Sequence, residues 1–184
     1  MDHVLAIQDL LAADPRRSEA LSAVADLSLP DAWIGAGFIR DAVWDHLHGH
    51  SFAPPAGDVD VVWFAPDMPL ESADRDIEDR LRSMLPQFTW SVKNQARMYS
   101  RNGDMPYTSV VDAMMHWPET ATAVAARYDG RKIEVSAPFG LDDLFALRLR
   151  PTAAFVERKL SIFQERLRSK RWLERYPMLT LVDR

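Results

Sequence analysis

Cysteine is absent from all 184 residues. That excludes disulfides, zinc–thiolate centres and a thiol nucleophile, and it is compatible with a reducing compartment. No apolar run approaches the roughly 20 residues that a membrane span needs. The opening MDHVLAIQDLLAADPRR is acidic early and too polar for a secretory leader, so a cytoplasmic protein off the membrane is expected. Repeats and low-complexity tracts are missing. The five histidines (3, 46, 48, 50 and 116) do not fall at metal-ligand spacing. There is no full G-x-G-x-x-G followed by a distant ribose-binding acid, and no P-loop lysine, which argues against a dinucleotide fold and a P-loop nucleotidase.

Positive charge is scarce over most of the chain. Residues 1–147 hold twelve Lys/Arg against 23 Asp/Glu, whereas residues 148–184 hold ten against four, within a formal net charge of −5. A basic end attracts polyphosphate or nucleic acid; the plainer reading is a solvated helix face that balances an acidic body. With 47% hydrophobic residues the chain can build a real core, and its length suits one domain.

Apolar spacing predicts helices over 2–12 and 16–27, with Pro15 where the second can begin. AWIGAG reads as a short strand ending in glycines, and FIRDAVWDHLHG as a helix that Gly49 stops. DVDVVWFA is a strand, ESADRDIEDRLRSML a charged amphipathic helix, and FTWSVKNQARM a strand. The stretch VVDAMMHWPETATAVAARY reads as helix interrupted near Pro118. RKIEVSAP is a strand after the turn at Asp129-Gly130, and FGLDDLFALRLRP a short helix. Residues 152–172 read as one long helix with Val156, Leu160, Phe163 and Leu167 as its seam. The order implies an α/β (α+β) fold: a small mixed sheet of about four to five strands covered by helices, in one domain over 1–184. Its core would span about 31–150, with a helical extension over 151–184.

Two stretches carry chemistry. In DVD, at the head of a strand, Asp58 and Asp60 project from one face a few ångströms apart. Like charges so close repel unless a cation lies between them, and a hard ion such as Mg²⁺ or Mn²⁺ suits one or two carboxylates plus substrate phosphates. In GAGFIRD, the small residues Gly35, Ala36 and Gly37 let the backbone approach a ligand. The following helix N-terminus favours a phosphate, and Arg40 in its first turn adds a charged donor. Each motif alone is weak; a plain turn and a solvated acid pair read the same way. Together they match the needs of in-line nucleotidyl transfer.

GAGFIRDAVWDHLHG followed by DVDVVWF resembles the opening of the DNA polymerase beta-like nucleotidyltransferase superfamily. The CCA-adding branch of that superfamily has a Gly-Gly, an Arg-Asp and a short helix before a DxD pair. WSVKNQARM, WPETATAVAAR, APFGLDDLF and RLRP resemble, more particularly, a bacterial family of nucleotidyltransferase-like proteins of unknown substrate. The likeness runs from about Trp33 to Pro177. It implies a nucleoside triphosphate, Mg²⁺ at Asp58 and Asp60, and transfer of a nucleoside monophosphate to a hydroxyl on a small molecule, RNA or protein, with release of pyrophosphate. Three departures stand out. Ala36 replaces the second residue of the usual Gly-Gly or Gly-Ser pair, the loop before Asp58 is long, and the third carboxylate that the superfamily draws from a neighbouring strand is not evident. Glu134 in KIEVSA is the first candidate for that carboxylate and Asp112, which reads as helical, the second; Ser91 lies mid-strand and cannot replace an acid.

Lys93, Gln95 and Arg97 share one face of their strand and would hold base, ribose or triphosphate; the plainer reading is a charge-guarded sheet edge. Asp142 and Asp143 read as first-turn helix acids. Two further functional classes stand beside the enzyme. One is a catalytically weak or inactive nucleotide- or RNA-binding module of the same fold. The other is an interaction protein that uses a basic helix at 158–171.

Overall fold

The computed structural model describes residues 2–50, 54–55 and 57–182. Helix α1 (His3–Ala13) starts at Asp2, whose carboxylate accepts the backbone N–H groups of Val4 and Leu5 at 3.0 and 3.2 Å. Asp14 caps α2 (Pro15–Asp26) in the same way, with Pro15 in the first turn, where its missing N–H costs nothing. The buried Arg17 pairs with Asp14 and donates Nε–H to the Phe38 carbonyl at 3.1 Å, so one caged cation ties the second helix to the third.

Strand β1 (Trp33–Gly35), α3 (Gly37–Leu47), β2 (Val59–Trp63), α4 (Glu71–Met84) and β3 (Trp90–Asn94) then alternate as expected. After two short helices, α5 (Met98–Asn102) and α6 (Val110–Met114), come β4 (Ala125–Tyr128) and β5 (Ile133–Ser136). The sheet order is β3-β2-β1-β4-β5, with β2 and β3 parallel and the other pairs antiparallel. This is the small mixed sheet covered by helices that the residue pattern predicts. Val59, Val61 and Trp63 are fully buried on the main core face with Ile34, Val92 and Ala126, under the long helices. Trp33, Val62 and Ala125 face the other side, against Val110, Met114 and Trp117.

Three predicted elements differ. Ala125–Tyr128 is a central strand, not helix: Ala126 pairs with Ile34 on one side and Val135 on the other, where small side chains fit a layer covered on both faces. The strand at 88–98 stops at Asn94. The fully buried Asn94 amide accepts from Ala65 and Ala96 N–H (3.1 and 3.0 Å) and donates to the Ala65 and Met68 carbonyls (2.8 and 2.9 Å), turning Gln95–Arg97 into a 3₁₀ turn. The long helix at 152–172 is broken into α8 (Ala153–Val156), α9 (Leu160–Lys170) and α10 (Trp172–Arg175). The first break follows Arg158 and Lys159, which both reach Asp104 at 2.9 Å; the second is Arg171, left-handed at φ 51°. Phe163 is buried as its seam position requires, but Leu160 is 40% exposed.

A short helix, α7 (Asp142–Phe145), precedes β6 (Arg148–Leu149), and β6 pairs in parallel with β7 (Thr180–Leu181). Leu149, Trp172, Tyr176 and Leu179 all join the main core, so the C-terminal segment is packed into the same body as the sheet. None of the helices, among the described residues, is long and apolar enough to cross a membrane.

Candidate active site

The Gly-Ala-Gly turn carries β1 into α3, and its three residues do different jobs. A Cβ on Gly35 would sit 2.7 Å from Trp117 Cη2, so the glycine is required by the indole that covers it. Ala36 holds φ 53° and ψ −122°, a conformation that strains any residue with a Cβ. Its N–H bonds the Val124 carbonyl at 2.9 Å, and its own carbonyl accepts from Ile39 and Arg40 at 3.2 and 3.0 Å. No side chain caps α3, so the positive end of the helix is left to whatever occupies the space in front of it.

That space is a cleft of about 360 Å³. Ala36, Gly37, Arg40 and Asp41 line it from the turn and α3, and Asp58 and Asp60 line it from the head of β2. The C-terminal segment adds Arg166, Lys170, Trp172 and Arg175 to the same lining. Asp58 is exposed just ahead of β2 and Asp60 is half-buried one residue into it. Burial raises the Asp60 carboxyl above its ordinary range; the Ser91 hydroxyl opposes this, the Asp58 charge adds to it, and Lys170 and Arg40 oppose it more weakly. Two acids this close, one of them resisting ionisation, are the arrangement a divalent cation relieves.

Arg40 lines the cleft as predicted, but its guanidinium is committed. Nε and Nη2 donate to Asp41 at 2.9 and 2.6 Å, Nη1 donates to Thr122 Oγ1 at 3.1 Å, and the group lies 4.9 and 4.6 Å from the rings of Trp44 and Trp172. Arg166 is likewise held, in a two-pronged pair with the fully buried Glu119 (2.7 and 3.1 Å). Arg175 reaches Asp41 and Asp45 at 3.6 and 3.5 Å.

Several predicted residues are not brought here. Glu134 is tied to Arg127 on β4 at 2.8 Å, and it lies on β5, with β1 and β4 between it and β2. At the usual strand spacing that is about 14 Å from the aspartate pair, too far to share a cation. Asp112 accepts from Thr108 N–H and Oγ1 (2.8 and 3.1 Å) beside α6. Lys93 pairs with Glu78 on α4 at 3.3 Å, Gln95 donates to the Lys93 carbonyl at 3.0 Å, and Arg97 pairs with the buried Asp74. Because the strand ends at Asn94, these three no longer share a face, and all are spent on structure. Asp143 is held by Thr120 and Arg150 at 2.8 and 2.9 Å.

The predicted basic helix is mostly internal wiring. Arg158 and Lys159 pair with Asp104, Arg166 with Glu119, Arg168 with Glu165 and Arg171 with Glu174. The Arg168 and Arg171 pairs lie on the surface, whereas those of Lys159 and Arg166 are made to buried acids. Trp172, Arg175 and Thr122 were missed as cleft residues. The first two sit about 130 residues of chain from their partners on α3, and no local spacing announces them.

The strands flanking Asp60 offer no third acid. In register, Asp60 is opposite Gly35 on β1 and Ser91 on β3. Among the described residues, no group of three or more His, Cys, Asp or Glu side chains is placed to hold a metal ion.

A family model described as nucleotidyltransferase matches residues 22–181, and no curated protein sequence matches the chain. Among solved structures, an NMR structure of a protein described as revealing a CCA-adding enzyme head domain aligns with TM-score 0.84 and 33% identity, over 96% of this chain and 94% of that one. A CCA-adding enzyme in complex with ATP shares the fold at TM-score 0.53 and 16% identity; the alignment spans 96% of this chain but 42% of that enzyme. A tRNA-processing enzyme complex is similar at TM-score 0.53 and 20% identity, over 89% and 43%. The sheet, the glycine turn and the aspartate pair therefore have a common setting: the chain belongs to the nucleotidyltransferase family and has the polymerase beta-like nucleotidyltransferase fold.

Proposed function

We propose that the cleft binds a nucleoside triphosphate with Mg²⁺ and transfers its nucleoside monophosphate to an acceptor hydroxyl. The acceptor oxygen attacks the α-phosphorus and gives up its proton to solvent, the bond from that phosphorus to the bridging oxygen breaks, and pyrophosphate leaves. The observation that supports this best is the placing of Asp58 and Asp60 across one small cleft from the uncapped end of α3 and a wall of cations. The donor set fits a hard cation, since both acids offer oxygen and Asp60 resists carrying its charge alone. Asp58 and Asp60 would hold the ion, which when bound would supply charge stabilisation at the phosphates.

The chain's own residues do the rest. The positive end of α3 faces the phosphate region. Arg40 sets the floor by clamping Asp41, Thr122 and two indoles together. Trp172 and Arg175 complete the lining from the C-terminal segment. The neighbour with bound ATP supports the choice of ligand class, and a nucleotide-rich compartment such as the cytoplasm would supply it.

A second reading, nucleotide binding without transfer, is favoured by Gly35 and Ser91 standing where the two neighbouring strands could have offered an acid. Calorimetry with a nucleoside triphosphate, with and without Mg²⁺, tests the site: Asp58→Ala and Asp60→Ala should each abolish Mg²⁺-dependent binding and leave the circular dichroism unchanged. Unchanged binding in both variants would remove the assignment. Pyrophosphate release with hydroxyl acceptors then separates transfer from binding alone.

A further inference from the structure

We infer that the cleft holds a single divalent cation and that the Lys170 ammonium stands in for a second one on the triphosphate; the inference rests on the nucleotide reading above. Two cations side by side need bridging oxygens and further ligands beyond them. Of the three carboxylates that line the cleft, Asp41 is taken by Arg40 and Arg175, which leaves Asp58 and Asp60 to hold an ion. The positions level with Asp60 on either side are a glycine with no side chain and a serine hydroxyl, Gly35 and Ser91. No third acidic, thiol or imidazole ligand joins them among the described residues.

A triphosphate on one divalent ion still carries negative charge, and an oxygen-lined wall does nothing to offset it. The cations around the cleft are not equal to the task. Arg40 is spent on Asp41, Arg166 on Glu119, and Arg175 on Asp41 and Asp45. Lys170 lines the same cleft, has no hydrogen bond or ion pair among the described residues, and is close enough for its charge to act on Asp60.

Its placing is built in. Residues four apart share a helix face, so Arg166 and Lys170 point the same way from α9. Arg166 is anchored to the fully buried Glu119, which fixes the rotation of the helix. Arg171 then turns left-handed and sends Trp172 into the core, so α9 ends with Lys170 at the cleft. A mobile ammonium on a flexible stem suits phosphate oxygens as a point charge.

The test counts ions and measures affinity. Wild type is titrated with Mn²⁺ and a non-hydrolysable nucleoside triphosphate, with bound Mn²⁺ read by electron paramagnetic resonance and nucleotide by calorimetry. One Mn²⁺ per chain is expected. Lys170→Met should weaken the triphosphate about tenfold or more, the loss of one charged contact, while affinity for the monophosphate changes less. Lys170→Arg should retain most of the binding. Ser91→Asp should admit a second Mn²⁺. Two Mn²⁺ ions in wild type, equal triphosphate affinity in Lys170→Met, or one ion still in Ser91→Asp would each overturn the inference while leaving the nucleotide reading intact. No Mn²⁺-dependent nucleotide binding by wild type would overturn that reading, and this inference with it.

Discussion

Asp60 is the residue at which stability and function pull in opposite directions. Its carboxyl titrates above its unfolded value, chiefly through burial. Below about pH 3, a unit under the ordinary aspartate value, both states are protonated and Asp60 contributes no pH-dependent difference. As pH rises from the unfolded value to the elevated folded one, the unfolded state ionises first and the folded state loses stability; above the folded value the loss is complete. Asp60→Asn should therefore raise the thermal midpoint at pH 7–8, and the gain should vanish below about pH 3; a gain independent of pH would contradict the burial account. Mg²⁺ should raise the midpoint of wild type and not of the variant. Ala36 stores strain of another kind. Its φ of 53° and ψ of −122° suit glycine, so Ala36→Gly should stabilise the fold by about 1 kcal/mol, read from denaturant midpoints. Gly35→Ala should do the reverse, by about 1–3 kcal/mol, because the new methyl meets Trp117 at 2.7 Å.

Among the elements, α9 couples the C-terminal segment to the cleft. Glu119 is fully buried and holds Arg166, which is itself 28% exposed. Glu119→Gln leaves the guanidinium facing a neutral partner and should cost about 2–4 kcal/mol, below the full penalty for breaking a buried pair because Arg166 is partly solvated. It should also weaken triphosphate binding, since the helix that carries Lys170 loses its rotational anchor. A stability loss with unaltered nucleotide affinity would show that α9 keeps its place without this pair. Element identity was readable where it rests on local chemistry. Asp14 and Pro15 announce the start of α2, Val59, Val61 and Trp63 alternate with Asp60 in β2, and Gly49 follows α3 with φ 69°. It was unreadable where a neighbour overrides propensity. Ala125 and Ala126 favour helix, yet two flanking strands claim their backbone groups. Lys93, Gln95 and Arg97 alternate like a ligand-binding face, yet the buried Asn94 amide ends the strand between them.

At the scale of the whole molecule, the C-terminal segment is part of the body that forms the site. Leu149, Trp172, Tyr176 and Leu179 lie in the main core, and Tyr176 donates to the buried Asp45 at 3.0 Å. A chain ending at Arg150 should lose cooperative unfolding by calorimetry, because it uncovers Trp44 and strips the far wall from the cleft; a sharp two-state transition in that chain would show that the sheet with its first helices folds alone. The sequence by itself determined the alternation of strand and helix, the glycine turn into α3, and the placing of Asp58 and Asp60 two residues apart at the head of β2. Each of these depends on residues within a few positions of one another, through the period of the backbone and the geometry of a turn. Only the tertiary structure decided that Ser91 and Gly35, not Glu134, flank Asp60, and that Arg40 is bound into a cage. It alone left Lys170 as the cleft cation with no acidic partner among the described residues. Strand order and ion-pair partners join residues far apart in the chain, and the energy that selects them comes from burial and charge compensation in the assembled body.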